Sequence, residues 1–180
     1  YYYLSGGGKP HIAEAIEGQY KPRYSGDSLP KGRLAKSLAL ADKFELIAGL
    51  ISIDLIPSGD KDPYAMRRST LGILSILMSE RFEITLDYLI ESSLNVFISH
   101  GTKKEVVFKK MQDFISDRLF YFFKEQGHRA DCIMACMKFA FVDTYSFPFL
   151  LKELEKAVVN IDSEELFLIN KRIKNILEKA

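Results

Sequence analysis

The segment at residues 34–51 places the strongest constraint on the fold of this 180-residue chain; it reads LAKSLALADKFELIAGLI. It contains no proline, and its apolar residues are spread around a helix rather than along one stripe. A helix that is apolar on most sides has to be covered by other elements. The segment therefore predicts a helix that is buried on most of its surface, in a chain long enough to bury a sizeable core.

Helical periodicity recurs along nearly the whole chain. Residues 10–20 read as a short helix, with Pro10 in the first turn and with Ile12, Ile16 and Tyr20 on one face. Residues 21–32 are rich in proline and glycine and predict a loop. Further helices are predicted over residues 62–78, 83–101, 102–126, 130–142, 147–158 and 163–179. We therefore predict an all-α fold.

Several helix ends carry capping residues. Asp62 is predicted as the N-cap of the helix over residues 62–78, and Pro63 as its first residue. Thr102 and Glu105 have the spacing of a capping box, which would open the longest helix. Gly127 is predicted to end that helix. A weak break near residues 79–83 or 99–103 suggests two helical subdomains that share an interface.

Composition excludes several classes of protein. The net charge is only +1, so any site for nucleic acid has to be a local basic patch. Cys132 and Cys136 are the only cysteines, which rules out a disulfide framework. Their spacing places them one helical turn apart, as small core residues in a reducing compartment. No apolar run approaches the roughly 20 residues that a membrane-spanning helix needs.

Asp42 lies inside the apolar segment, and a buried carboxylate needs a partner. One possible partner is a metal ion, as in helical phosphohydrolases of the HD type, which close their metal site with an aspartate in a similar context. Such a site also needs a His-Asp pair, which the sequence lacks, and the nearest histidine is His11. The alternative is a structural role, in which Asp42 pairs with Lys43, Lys36 or a backbone amide.

Residues 57–72, PSGDKDPYAMRRSTLG, form the best candidate site. Lys61, Arg67 and Arg68 would cluster around the first two turns of a helix, where amide groups and cations together suit an RNA phosphate. The alternative is a salt-bridged turn, in which Asp60 and Asp62 compensate the cations locally. Further candidate cations for RNA contact are Lys103, Lys104, Lys171, Arg172 and Lys174.

The same residues resemble a known family. Residues 39–74, ALADKFELIAGLISIDLIPSGDKDPYAMRRSTLGIL, look like the beta subunit of the bacterial heterotetrameric glycyl-tRNA synthetase. Residues 12–30, 114–135 and 169–177 resemble further segments of that family, in the same order. The resemblance spans nearly the whole chain. Gln19 departs from the family pattern, which usually has histidine at this position.

The resemblance carries implications for fold and function. It implies that residues 1–100 form the C-terminal part of an HD-like helical domain. It also implies that residues 101–180 form a helical region that leads into an anticodon-binding domain. The implied enzyme is a class II aminoacyl-tRNA synthetase in the bacterial cytoplasm. Its alpha subunit uses ATP and magnesium to make glycyl-adenylate, while the beta subunit recognises and positions tRNA(Gly). This segment would hold no cofactor, no metal and no catalytic residue, with Asp42, Asp62 and Pro63 in structural roles, and would contact neither DNA nor membrane.

Two other functions remain open from the residues alone. The first is a metal phosphohydrolase of the HD type, which would turn over a nucleotide or a phosphodiester when manganese is added. The second is a helical protein-interaction module, which would bind a partner subunit and show no affinity for RNA at any salt concentration. Phosphate contacts would instead give RNA binding that falls steeply as salt rises.

Overall fold

A computed structural model describes residues 1–24, 26–57, 61–97 and 104–160. Within these ranges the chain forms eight helices and no strand, which confirms the all-α prediction. The helices are α1 Tyr2–Ser5, α2 Pro10–Gly18, α3 Gly32–Ser52, α4 Met66–Ser79, α5 Leu86–Leu94, α6 Lys104–Glu125, α7 Ala130–Val142 and α8 Phe147–Asn160. None of these helices has the length and apolar content that crossing a bilayer requires.

Helix α3 is the element around which the others pack. It contacts α2, α4, α5 and α6, and Ala39, Ile47 and Ala48 on its inner side are fully buried. The prediction that most of its surface is covered is only partly right. Leu34 remains 55% exposed, and Leu38 is also exposed. The apolar side chains of α3 therefore belong to two surfaces, one inside the core and one outside it.

Local chemistry explains the helix ends that were predicted correctly. Pro10 begins α2, where its missing N–H is not needed. Gly127 follows α6 with a φ of +90°, a backbone conformation that glycine adopts without steric cost. Its N–H donates to the Lys124 carbonyl at 3.0 Å, and the His128 N–H donates to the Phe123 carbonyl at 3.1 Å. These two bonds form a Schellman motif that satisfies the last carbonyls of α6.

Other predictions were less accurate or fall outside the described residues. The face that carries Ile12, Ile16 and Tyr20 is not the one that packs inwards, because Ile16 and Tyr20 are exposed while Ala15 and Gly18 are buried. Helix α5 ends at Leu94, well before residue 101. The predicted cap at Thr102 and the helix over 163–179 lie outside the described residues.

Cys132 and Cys136 lie in α7 and are both buried, as their spacing predicts. They belong to an apolar cluster that includes residues of every helix from α3 to α8. Burial raises the pKa of both thiols above the ordinary value. The two side chains therefore serve as small apolar core residues in the folded chain.

Candidate functional site

The basic segment before α4 is organised by the Asp62 carboxylate. Asp62 Oδ1 accepts a hydrogen bond from the Met66 N–H at 2.8 Å, and Oδ2 accepts one from the Arg67 N–H at 3.0 Å. Met66 and Arg67 are the first two residues of α4, whose N–H groups have no partner inside the helix. The carboxylate thus satisfies both groups and places a negative charge at the positive end of the helix.

The start of α4 differs from the sequence prediction. Asp62 caps the helix through its side chain, but Ala65 occupies the N-cap position, so Pro63 is not the first helical residue. Residues 62–65 form a turn in which the Ala65 N–H donates to the Asp62 carbonyl at 3.1 Å. Ala65 adopts a left-handed conformation with φ of +56°. The turn brings the Asp62 carboxylate over the start of α4. The sequence prediction missed this, because it assumed that the capping residue directly precedes the helix.

The structure separates the three candidate cations at this helix. Arg67 is partly buried, and its Nη2 donates to the Pro57 carbonyl at 3.4 Å. Arg68 and Lys61 are exposed and make no ion pair with a described residue. Arg67 therefore holds the preceding loop against α4, while Arg68 and Lys61 present charge to solvent.

Among the described residues, the one remaining candidate cation, Lys104, is not brought to this site. Lys104 lies in the first turn of α6 and donates to Glu91 Oε1 at 2.8 Å and to Asn95 Oδ1 at 2.9 Å. These bonds tie the start of α6 to the end of α5. Lys103, Lys171, Arg172 and Lys174 lie outside the described residues.

The charge buried in α3 is a lysine and not an aspartate. Asp42 is exposed, so the expectation that its carboxylate lies in the core is wrong. Lys43 is only 6% exposed, and its Nζ donates to the Gln19 carbonyl at 3.1 Å. Burial lowers the pKa of Lys43, and the nearby Asp42 charge opposes this effect. Lys43 thereby joins the end of α2 to α3.

A second buried lysine joins α3 to α4. Lys36 forms an ion pair with Glu80 and donates to Ser79 Oγ at 3.2 Å. Sequence reasoning named Lys36 and Lys43 only as partners for Asp42. Both lie on the face of α3 that also carries Ala39 and Ile47, but α3 is apolar on most sides, so this spacing does not by itself mark the two lysines as buried.

Within the four described ranges, no three His, Cys, Asp or Glu side chains form a group that could hold a metal ion. The candidate site at the start of α4 consists of a helix end capped by Asp62 and two cations, Lys61 and Arg68, that face solvent. Such cations suit a phosphate or carboxylate partner through charge-assisted hydrogen bonds.

Comparison with known proteins decides the family. The profile of the family described as Glycyl-tRNA synthetase beta subunit matches residues 1–138, more than half of the chain. This chain belongs to that glycyl-tRNA synthetase beta subunit family. Proteins named glycine–tRNA ligase beta subunit are similar along the whole chain. The one from Buchnera aphidicola subsp. Acyrthosiphon pisum (strain Tuc7) is 35% identical over 182 residues, which cover 99% of this chain and 26% of the relative.

Two further relatives of the same name give the same result. The protein from Acidovorax sp. (strain JS42) is 36% identical over 180 residues, covering 100% of this chain and 25% of the relative. The protein from Methylobacillus flagellatus is 36% identical over 187 residues, covering 100% of this chain and 25% of the relative. The chain therefore spans about a quarter of the length of these glycine–tRNA ligase beta subunits.

Proposed function

We propose that this chain is a helical part of a glycine–tRNA ligase beta subunit that helps to position tRNA(Gly) and to scaffold the subunits for ATP-dependent aminoacylation. The observation that carries the proposal is the match to beta subunits along the whole chain, from one end to the other. In this proposal ATP and magnesium act in the alpha subunit, and no residue of this chain is catalytic. The setting would be the bacterial cytoplasm.

The geometry at α4 supports one way of contacting RNA and argues against another. The Asp62 carboxylate already accepts from the N–H groups of Met66 and Arg67, so these amides are not free to bind a phosphate. The carboxylate would also repel a phosphate placed on the helix axis. Contact with RNA would therefore run through the exposed side chains of Arg68 and Lys61.

The test uses the full beta subunit reconstituted with the alpha subunit and carrying Arg67→Ala or Arg68→Ala separately. For Arg68→Ala we expect tRNA affinity to fall about 3- to 10-fold and the salt dependence of binding to decrease by about one counterion, because one phosphate contact is lost. Charging should fall, while glycine-dependent ATP–pyrophosphate exchange and melting temperature hold. For Arg67→Ala the melting temperature should fall, since Arg67 holds the loop at Pro57.

The matched control is Lys109→Ala, which removes one cation from an exposed ion pair with Asp113 on α6. It lowers net charge by the same amount as Arg68→Ala. Equal tRNA affinity for the wild type and Arg68→Ala would contradict the assigned contact. A wild-type alpha and beta pair that fails to charge tRNA(Gly) would contradict the proposed function as a whole.

A further inference from the structure

A groove of about 850 Å³ lies between the α4–α5 connection and the α7–α8 connection. Tyr88 and Ile84 line one side, and Val142 and Tyr145 line the other. Tyr88 is 59% exposed, Val142 63% and Tyr145 45%. The hydrophobic core therefore does not account for these large apolar side chains.

Helix α7 carries further exposed apolar side chains outside the groove. Met134 and Phe139 precede Val142 on this helix and are also exposed. Exposed apolar patches mark interaction sites, and aromatic residues, methionine and arginine are enriched in the cores of protein–protein interfaces. Composition alone is also compatible with the stacking of an RNA base on a tyrosine ring.

The charges of the groove favour a protein partner over RNA. Arg81 is the one cation among the described residues that line the groove, and it lies opposite Asp143, with Nη2 and Oδ2 3.7 Å apart. Asp143 also accepts from the Ser146 N–H at 3.0 Å and from Ser146 Oγ at 2.8 Å. Glu83 lines the same groove, is exposed and makes no ion pair with a described residue.

These charges leave the groove with one carboxylate in excess. A phosphate backbone entering it would be repelled, whereas a lysine or arginine side chain would complement Glu83. A cation would also be stabilised next to the face of a tyrosine ring. The groove thus has the charge and the apolar walls that suit a polypeptide segment with one basic residue among apolar ones.

We infer that this groove docks a segment of a partner protein, which places apolar side chains against Tyr88, Val142 and Tyr145 and a basic side chain against Glu83. The inference rests on the proposed function, in which the alpha subunit is the partner that supplies the segment. It deepens that function by assigning a subunit contact to the side of the molecule formed by α5, α7 and the connections next to them.

The experiment measures association of the full beta subunit with the alpha subunit by sedimentation. Two beta variants are tested, Val142→Lys and Glu83→Lys. Val142 is the last residue of α7, where a cation favours the helix, so the first variant should fold. The matched control is Ile53→Lys, because Ile53 is 66% exposed and is the C-cap of α3. We expect each groove variant to weaken association about tenfold or more, and the control to stay within about twofold.

Four outcomes would overturn the inference. Wild-type association and wild-type charging for both groove variants would remove the groove from the subunit contact while leaving the proposed function intact. Loss of tRNA affinity with unchanged association would show an RNA site instead. A lower melting temperature of the isolated beta subunit for Val142→Lys, but not for Ile53→Lys, would show that the same polypeptide covers the groove. Failure of the wild-type pair to charge tRNA(Gly) would overturn the proposed function, and the inference with it.

Discussion

Lys43 carries an ammonium group into the interior of the chain. Among the described residues, the Gln19 carbonyl accepts from Lys43 Nζ, and the Cδ and Cε atoms of Lys43 lie beside Gly72, where they leave no room for a side chain. No carboxylate makes an ion pair with it in the described ranges, although the charge of the exposed Asp42 acts on it. Burial disfavours the charged form, so protonated Lys43 costs free energy in the folded state that it does not cost in the unfolded chain.

We expect this cost to appear in the pH dependence of stability. The folded-state pKa of Lys43 is below the ordinary value of 10.5, so between these two values the unfolded chain binds more protons. The free energy of unfolding of the wild type, relative to Lys43→Met, should therefore rise as pH increases through that window. Urea unfolding of both proteins at a series of alkaline pH values measures the difference.

Asp42→Asn provides the control for this prediction. Removing the carboxylate takes away the interaction that raises the pKa of Lys43. The pH range over which stability depends on Lys43 should therefore extend towards lower pH. A difference between wild type and Lys43→Met that stays constant with pH would contradict the assignment.

The pair Asp42 and Lys43 also shows what the sequence could not decide. The sequence places charged residues inside an apolar helix, but α3 is apolar on most sides, so periodicity does not select the face that turns inwards. Adjacent residues of a helix point about 100° apart, so only one of the two can face the core. In this structure Lys43 faces the core and Asp42 faces solvent. Lysine also tolerates this position better, because its long stem packs while its terminal amine reaches a carbonyl.

At the scale of elements, helix ends were predictable where the signal lies in adjacent residues. Pro10 and Gly127 act through their own backbone geometry, and both ends were found from the sequence. The start of α4 was misplaced, because Asp62 acts across a turn that includes the left-handed Ala65. The separation of Arg67 from Arg68 could not be predicted either, since it depends on where the carbonyl of Pro57 lies.

The packing of α2 on α3 depends on the absence of a side chain at Gly18. A Cβ at this position would lie 2.9 Å from the Cβ of Ala35, closer than carbon atoms pack. Gly18→Ala should therefore lower the free energy of unfolding by about 1–3 kcal/mol through overpacking. Ala35→Gly should relieve the clash, so the double variant should be more stable than the sum of the two single effects. Additive effects in thermal or urea unfolding would exclude this contact.

At the scale of the whole molecule, one apolar cluster includes side chains from α3 to α8. Ile47 of α3, Ile115 of α6 and Ile133 of α7 are all fully buried in it. The predicted boundary between residues 100 and 101 would divide this cluster. The boundary stays a prediction, and the continuity of the core makes it testable through the cooperativity of unfolding.

We expect Ile133→Ala to destabilise the described helices as one unit. The substitution leaves a cavity in the shared cluster and should cost about 2–5 kcal/mol. Amide hydrogen exchange should then show equal losses of protection in α3 and α7. The neighbouring Met134→Ala is the control, because Met134 is largely exposed. Loss of protection confined to α6, α7 and α8 would instead support the independent subdomain predicted from the sequence.

The burial of Cys132 and Cys136 has a practical consequence for chemical labelling. Both thiols are withdrawn from solvent and disfavour the thiolate, which is the form that reacts with alkylating reagents. The folded chain thus offers an unreactive background without any removal of native cysteines. Arg68→Cys or Val142→Cys would introduce one reactive position within this chain, so a crosslinker attached there would report directly which macromolecule lies beside α4 or the groove.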